Sequence, residues 1–131
     1  MKIMLFNDYR IGIIKGQGVV DVTSVVSNVP HHGVGDLMNG LIASFDKVRS
    51  KIDKAVANGK SVPISQLKIR PPLPKPVNIE CMAVNYMEDG TRMEPALINA
   101  FHKSPGCIIG NGDTMVFPDI PSTIFEGEAE L

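Results

Sequence analysis

The sequence predicts an α+β protein in two parts, and three observations predict it. The opening residues alternate like strands of a meander, two helical stretches follow, and a proline-rich connector then leads into a second β-rich segment. The first part is read as a small amino-terminal α+β domain, residues 1–70. The second, residues 71–131, is read as the incomplete start of another domain.

Lys2 to Phe6 and Tyr9 to Lys15 are rich in β-formers, Gly16-Gln17-Gly18 supplies a turn, and Val19 to Val22 resumes the apolar pattern. A meander with one apolar face needs a cover. Asp36 is the expected N-cap of a helix from Leu37 to Phe45. A second helix is expected over Phe45 to Ala57, because Phe45, Val48, Ile52 and Val56 recur at three- and four-residue spacing. Asn58-Gly59 gives it a stop. From Arg70 to Pro76 four of seven residues are proline, which excludes helix and central strand and favours an extended connector. Beyond it, Val77 to Val84 reads as strand, Pro95 to Phe101 as a short helix, and Gly106 to Val116 as strand and turn. Phe125 to Leu131 reads as the start of a buried strand, whose open edge would invite pairing with further chain.

With 131 residues and 14.2 kDa, the chain is long enough for one domain or for a small domain and part of another. Its formal charge of −1 and pI of about 6.3 give no field to attract nucleic acid or an anionic membrane. The short apolar run at the amino terminus is broken at Asn7-Asp8, and no segment reaches the roughly 20 apolar residues of a membrane-spanning helix. Cys81 and Cys107 lie far apart, without the spacing of a zinc site. A cytoplasmic protein with reduced thiols is expected, although a disulfide between the two remains open.

The densest cluster of reactive residue types is Glu126-Gly127-Glu128-Ala129-Glu130-Leu131. On a strand, Glu128 and Glu130 would project to one face, and their mutual repulsion would be relieved by a hard cation such as Mg²⁺ or Mn²⁺. Taken alone, such an acidic stretch is more often a solvated, frayed segment. His31-His32 in a loop bounded by Pro and Gly is read as surface. Gly110-Asn111-Gly112-Asp113 lacks the Lys-Ser/Thr of a phosphate loop and is read as a tight turn.

Several motifs in order resemble the fumarylacetoacetate hydrolase family. The Pro-x-Pro-x-Pro connector leading into Ala83-Val84-Asn85-Tyr86 is similar to the entry into that family's catalytic domain. Phe101-His102-Lys103 with Gly110-Asn111-Gly112-Asp113 is similar to its Phe-x-Lys segment and Gly-x-Gly-Asp turn. Glu126 to Leu131 is similar to its Glu-x-Glu-Leu metal strand. No one motif is specific; their order and spacing carry the resemblance across essentially the whole chain.

The resemblance implies that the second part begins a mixed β-roll catalytic domain, dimeric in the complete protein. It implies one Mg²⁺ or Mn²⁺ held by Glu128, Glu130 and a later aspartate, which would place the third ligand downstream of Leu131. The implied substrates are small 1,3-dicarbonyl or 2-oxo acids of the acylpyruvate type, and the implied reaction is hydrolysis of a carbon–carbon bond. One departure stands out. Hydrolytic members carry His-x-x-Glu soon after Asn-Tyr, whereas here Asp89 stands for the histidine and Arg92 for the glutamate. Asp89 would be a base with an unperturbed pKa of only about 3.9. Arg92 would clamp a substrate carboxylate, or the two would form a salt bridge that braces the loop. Lys103 would neutralise a substrate carboxylate or lie along apolar surface, and His102 would face the site or solvent. The departure keeps decarboxylation, tautomerisation and hydration open on the same metal–enolate scaffold. A non-catalytic fragment needing a partner chain is a further reading, and the chain alone is expected to be inactive.

Overall fold

The computed structural model describes residues 1–83, 93–94, 97–121, 124 and 127. The amino-terminal meander forms as expected: β1 (Ile3–Phe6), β2 (Arg10–Lys15) and β3 (Gly18–Asp21) pair antiparallel in sequence. Two short strands extend it. β4 (Ser61–Pro63) pairs with β3, and β5 (Ile69–Arg70) pairs with β1, giving a five-stranded sheet of order β4-β3-β2-β1-β5.

The pleat sends alternate side chains to opposite faces, and both faces are covered. On one face Leu5, Ile11, Ile13 and Val20 join Val22, Val26, Val29, Leu37, Met38, Leu41 and Ile52 in the main core. The helices α1 (Leu37–Ala43) and α2 (Phe45–Asn58) supply its lid. On the other face Met4, Phe6 and Val19 pack with Ile14, Ile64, Leu67 and Ile69. Gly12 lies on that second face under the Phe6 ring, and a methyl there would sit 2.3 Å from Val19 Cγ1. Glycine is what lets β2 and β3 keep their register.

The helical periodicity behaves as expected. Ile52 is fully buried, with Phe45, Val48 and Val56 partly buried against the same core. The first helix ends earlier than expected, because the Ser44 amide already closes on Gly40 and Leu41 carbonyls and the chain bends into α2. Asp36 occupies the N-cap position, but its carboxylate turns back to the His32 amide (3.1 Å) and the Asn39 side chain (3.2 Å) rather than capping the helix. Those two bonds, the His32 amide first, hold the Asp36 carboxyl below its ordinary pKa.

The proline-rich stretch forms a series of bends without helix or strand. Past it, β6 (Ile79–Met82) and β7 (Ala100–Lys103) make a two-stranded antiparallel sheet with Ile79 opposite Lys103 and Met82 opposite Ala100. Pro95 and Ala96 lie outside the described residues, but Leu97 to Phe101 do not form the helix expected over Pro95 to Phe101. Leu97 to Asn99 have no regular structure, and Ala100-Phe101 belong to β7. The backbone of this segment is satisfied across the hairpin, with the Ala83 amide donating to Asn99 oxygen at 2.8 Å, rather than within a helix. The strand signal of Gly106 to Val116 also fails among the described residues, which hold only a 3-10 turn at Pro105–Cys107 and the tight turn at Gly110–Asp113. Among the described residues, none after Pro71 is buried.

Asp21 ties the meander to the turn that follows it. Its carboxylate accepts from the Thr23 hydroxyl (2.6 Å) and amide (2.9 Å) and pairs with Arg10. Partial burial acts to raise its pKa, but the Thr23 bonds and Arg10 outweigh it and the net shift is downward from 3.8. A lowered carboxylate contributes stability that is complete above its unfolded pKa and is lost as pH falls through the folded value. Two outcomes follow. Ile52→Ala lowers unfolding free energy by about 2–5 kcal/mol in urea denaturation, because the fully buried side chain leaves a cavity. Asp21→Asn shifts the urea midpoint downward near neutral pH, and the difference from wild type shrinks as the pH falls below 3.8.

Candidate functional site

Of the five residues singled out from the sequence, Lys103 lies among the described residues; Asp89, Arg92, Glu128 and Glu130 lie outside them. Lys103 ends β7. Its ammonium sits 5.8 Å from the centre of the Phe101 ring, two residues back on the same face of the strand. Among the described residues Lys103 forms no ion pair. The side chain therefore follows an apolar surface while its charge stays accessible.

His102 projects to the other face of β7, where its Nδ1 lies 3.2 Å from Glu80 Oε1 on β6. The residue is exposed, but it is a strand residue with a cross-strand partner. Sequence reading missed this pair, since only the β6–β7 register places Glu80 opposite His102. The same register puts Cys81 opposite Phe101; Cys81 and Cys107 are both free thiols. His31 and His32 are exposed, as expected, and the His31 ring nitrogen Nδ1 is 2.7 Å from Val29 oxygen.

The Gly-Asn-Gly-Asp segment is a tight turn. The Asp113 amide donates to Gly110 oxygen at 3.1 Å, and Gly112 takes a φ of +82°. That left-handed conformation at the third position is one that glycine adopts without a steric penalty. The chain leaving this turn lines an open groove of about 620 Å³, together with Gly106, Cys107, Ile109 and, from the acidic stretch, Gly127. The walls include Met115 and Phe117, both exposed large apolar side chains. Apolar exposure is general here: Val77, Met93, Leu97 and Ile98 are about nine-tenths exposed.

Among the described residues there is no group of three His, Cys, Asp or Glu able to hold a metal ion. Glu128 and Glu130, the metal ligands expected from the sequence, lie outside the described residues. Also among the described residues, no helix is long and apolar enough to cross a membrane.

No family model matches the chain. Comparison with solved structures finds a maleylpyruvate hydrolase from Sphingobium sp. SYK-6, crystallised with manganese(II) and pyruvate. It matches with a TM-score of 0.76 and 27% identity, over 92% of this chain and 44% of that one. A second structure of maleylpyruvate hydrolase from the same source gives a TM-score of 0.74 at 25% identity with the same coverage. Among curated proteins, a maleylpyruvate hydrolase of Aquipseudomonas alcaligenes is 26% identical over 87 residues, covering 66% of this chain and 30% of its own length. The chain thus has an α+β fold like the corresponding part of maleylpyruvate hydrolase, and it spans less than half the length of each of these proteins.

Proposed function

We propose that this chain is the amino-terminal part of a metal-dependent hydrolase of the fumarylacetoacetate hydrolase family, one that cleaves a carbon–carbon bond in a small acylpyruvate-type acid. The observation that carries the reading is the match over 92% of the chain to a maleylpyruvate hydrolase that binds manganese(II) and pyruvate. The ordered sequence motifs point to the same family. Residues 1–70 form the small domain and residues 71–131 begin the catalytic domain. The complete protein is a cytoplasmic homodimer.

In this reading Glu128 and Glu130 hold Mg²⁺ or Mn²⁺ with further ligands from elsewhere in the complete protein. Held there, the ion would supply Lewis acidity toward the substrate. Lys103, accessible at the end of β7, neutralises a substrate carboxylate. Arg92 clamps the other end of the acid. Asp89 takes a proton from the attacking water, whose oxygen bonds to the acyl carbon. The bond from that carbon to the pyruvate methylene breaks, its electron pair stays with the methylene carbon, and a proton returns there. The products are a carboxylic acid and pyruvate.

Asp89 and Arg92 in place of His-x-x-Glu favour a second reading on the same scaffold: decarboxylation, tautomerisation or hydration of a 2-oxo acid. The exposed apolar side chains between Val77 and Ile124 favour a third, in which the chain is a non-catalytic piece completed by a partner chain. Product analysis by NMR on the full-length protein with maleylpyruvate and Mn²⁺ separates them. Pyruvate with the matching acid supports hydrolysis; CO₂, an isomer of unchanged mass or a product heavier by one water supports the second reading; and no turnover supports the third. For hydrolysis, chelation of the metal abolishes pyruvate release and Mn²⁺ restores it. Lys103→Met then lowers kcat/KM by roughly 10- to 100-fold, the scale of one lost charge-assisted bond.

A further inference from the structure

The Gly110–Asp113 turn meets the helix-covered sheet at β5. On the sheet side, the Asn7 amide donates to Lys68 oxygen at 2.7 Å, and the Lys68 amide donates to Asn7 Oδ1 at 3.0 Å. Arg70 Nε donates to Asn7 oxygen, and its guanidinium lies 5.1 Å from the centre of the Tyr9 ring. Asn7 and Tyr9 have φ of 48° and 59°, a left-handed region that side chains other than glycine populate at a cost. These bonds hold that turn, and with it the position of residues 68–70.

On the other side, Asp113 Oδ2 accepts the Gly110 amide at 2.8 Å, and Oδ1 lies 3.6 Å from Lys68 Nζ. Gly110 is pressed against the connector: a methyl there would sit 3.0 Å from Ile69 oxygen and 3.1 Å from Pro71 Cδ. The Asp113 carboxyl is held below its ordinary range, chiefly by the Gly110 amide, with Lys68 and Arg70 adding. Asp113 stands between Lys103 and Glu128 in the chain. The residues that follow it, Thr114 to Pro118, form a wall of the groove that Gly127 also lines.

We propose that Asp113 is a positioning residue for the metal-binding segment. It closes the turn on the β5 edge, and the docked turn sets the groove wall, Thr114 to Pro118, that Gly127 also lines. This rests on the reading of Glu128 and Glu130 as metal ligands. Asp113 touches neither ion nor substrate; it acts through the turn.

The test pairs amide hydrogen exchange with Mn²⁺ affinity, read by electron paramagnetic resonance, on the full-length protein. In Asp113→Ala, exchange at the Gly110 amide rises at least about tenfold, Val20 stays protected, and Mn²⁺ binding weakens about tenfold. Asp113→Asn, which keeps an acceptor for the Gly110 amide, restores affinity to within about threefold of wild type. Gly110→Ala, which pushes the turn off Ile69, weakens Mn²⁺ binding as Asp113→Ala does, and decides the matter if the latter fails to fold. Unchanged Mn²⁺ affinity in Asp113→Ala and Gly110→Ala overturns the proposal while leaving the metal reading intact. An Asp113→Asn as weak as Asp113→Ala also overturns it, because charge rather than turn closure would then matter. A full-length wild-type protein that binds no Mn²⁺ overturns the metal reading and the positioning role together.

Discussion

The burial of Leu5, Ile11, Ile13 and Val20 under Leu41 and Ile52 is the interaction on which the rest of the structure depends. A three-strand meander cannot hold water off its apolar face alone, so β1, β2 and β3 need the two helices that follow. Once the helices are seated, the chain returns along the sheet edges as β4 and β5, and β5 hands it to the proline-rich bends. Everything further along hangs from that exit. The β6–β7 hairpin and the groove contain no buried side chain among the described residues. A lone hairpin with Leu97 and Ile98 about nine-tenths exposed is not a stable unit in water. The contrast between the two parts is physical: one carries its own core, and the other presents apolar surface.

What was legible in the sequence follows from locality. The spacing of Phe45, Val48, Ile52 and Val56 reveals α2 because each residue's face is set by its neighbours within two turns. The Gly16-Gln17-Gly18 turn, the proline run and the Gly-Asn-Gly-Asp turn were readable for the same reason. β4 and β5 were not, since strands of three and two residues are too short to show a period and exist because β3 and β1 offer open edges. The helix expected over Pro95 to Phe101 failed on the same ground: pairing with β6, a distant segment, outweighed local preference.

The candidate site divides in the same way. Residue types and order suggested Lys103 and the Glu128–Glu130 pair, and the resemblance gave them roles. Contacts made by register could not be seen. Glu80 meets His102 across β6 and β7, and Asp113 meets Lys68 across more than forty residues of chain. Lys103 was read as either a substrate partner or a stem lying on apolar surface. Its place over Phe101, with the charge accessible, is compatible with both at once. Asp89 and Arg92 keep the reaction type open on chemical grounds, because a carboxylate in the place of an imidazole is a weaker base unless burial raises its pKa.

The central claim is that the acidic stretch holds a metal ion rather than being merely solvated, and Mn²⁺ titration of the purified full-length protein tests it most directly. The account predicts saturable binding of one ion per chain, weakened about tenfold or more in Glu128→Gln and in Glu130→Gln and lost in the double variant. Binding that neither substitution changes, or no saturable binding by the wild-type protein, would contradict it.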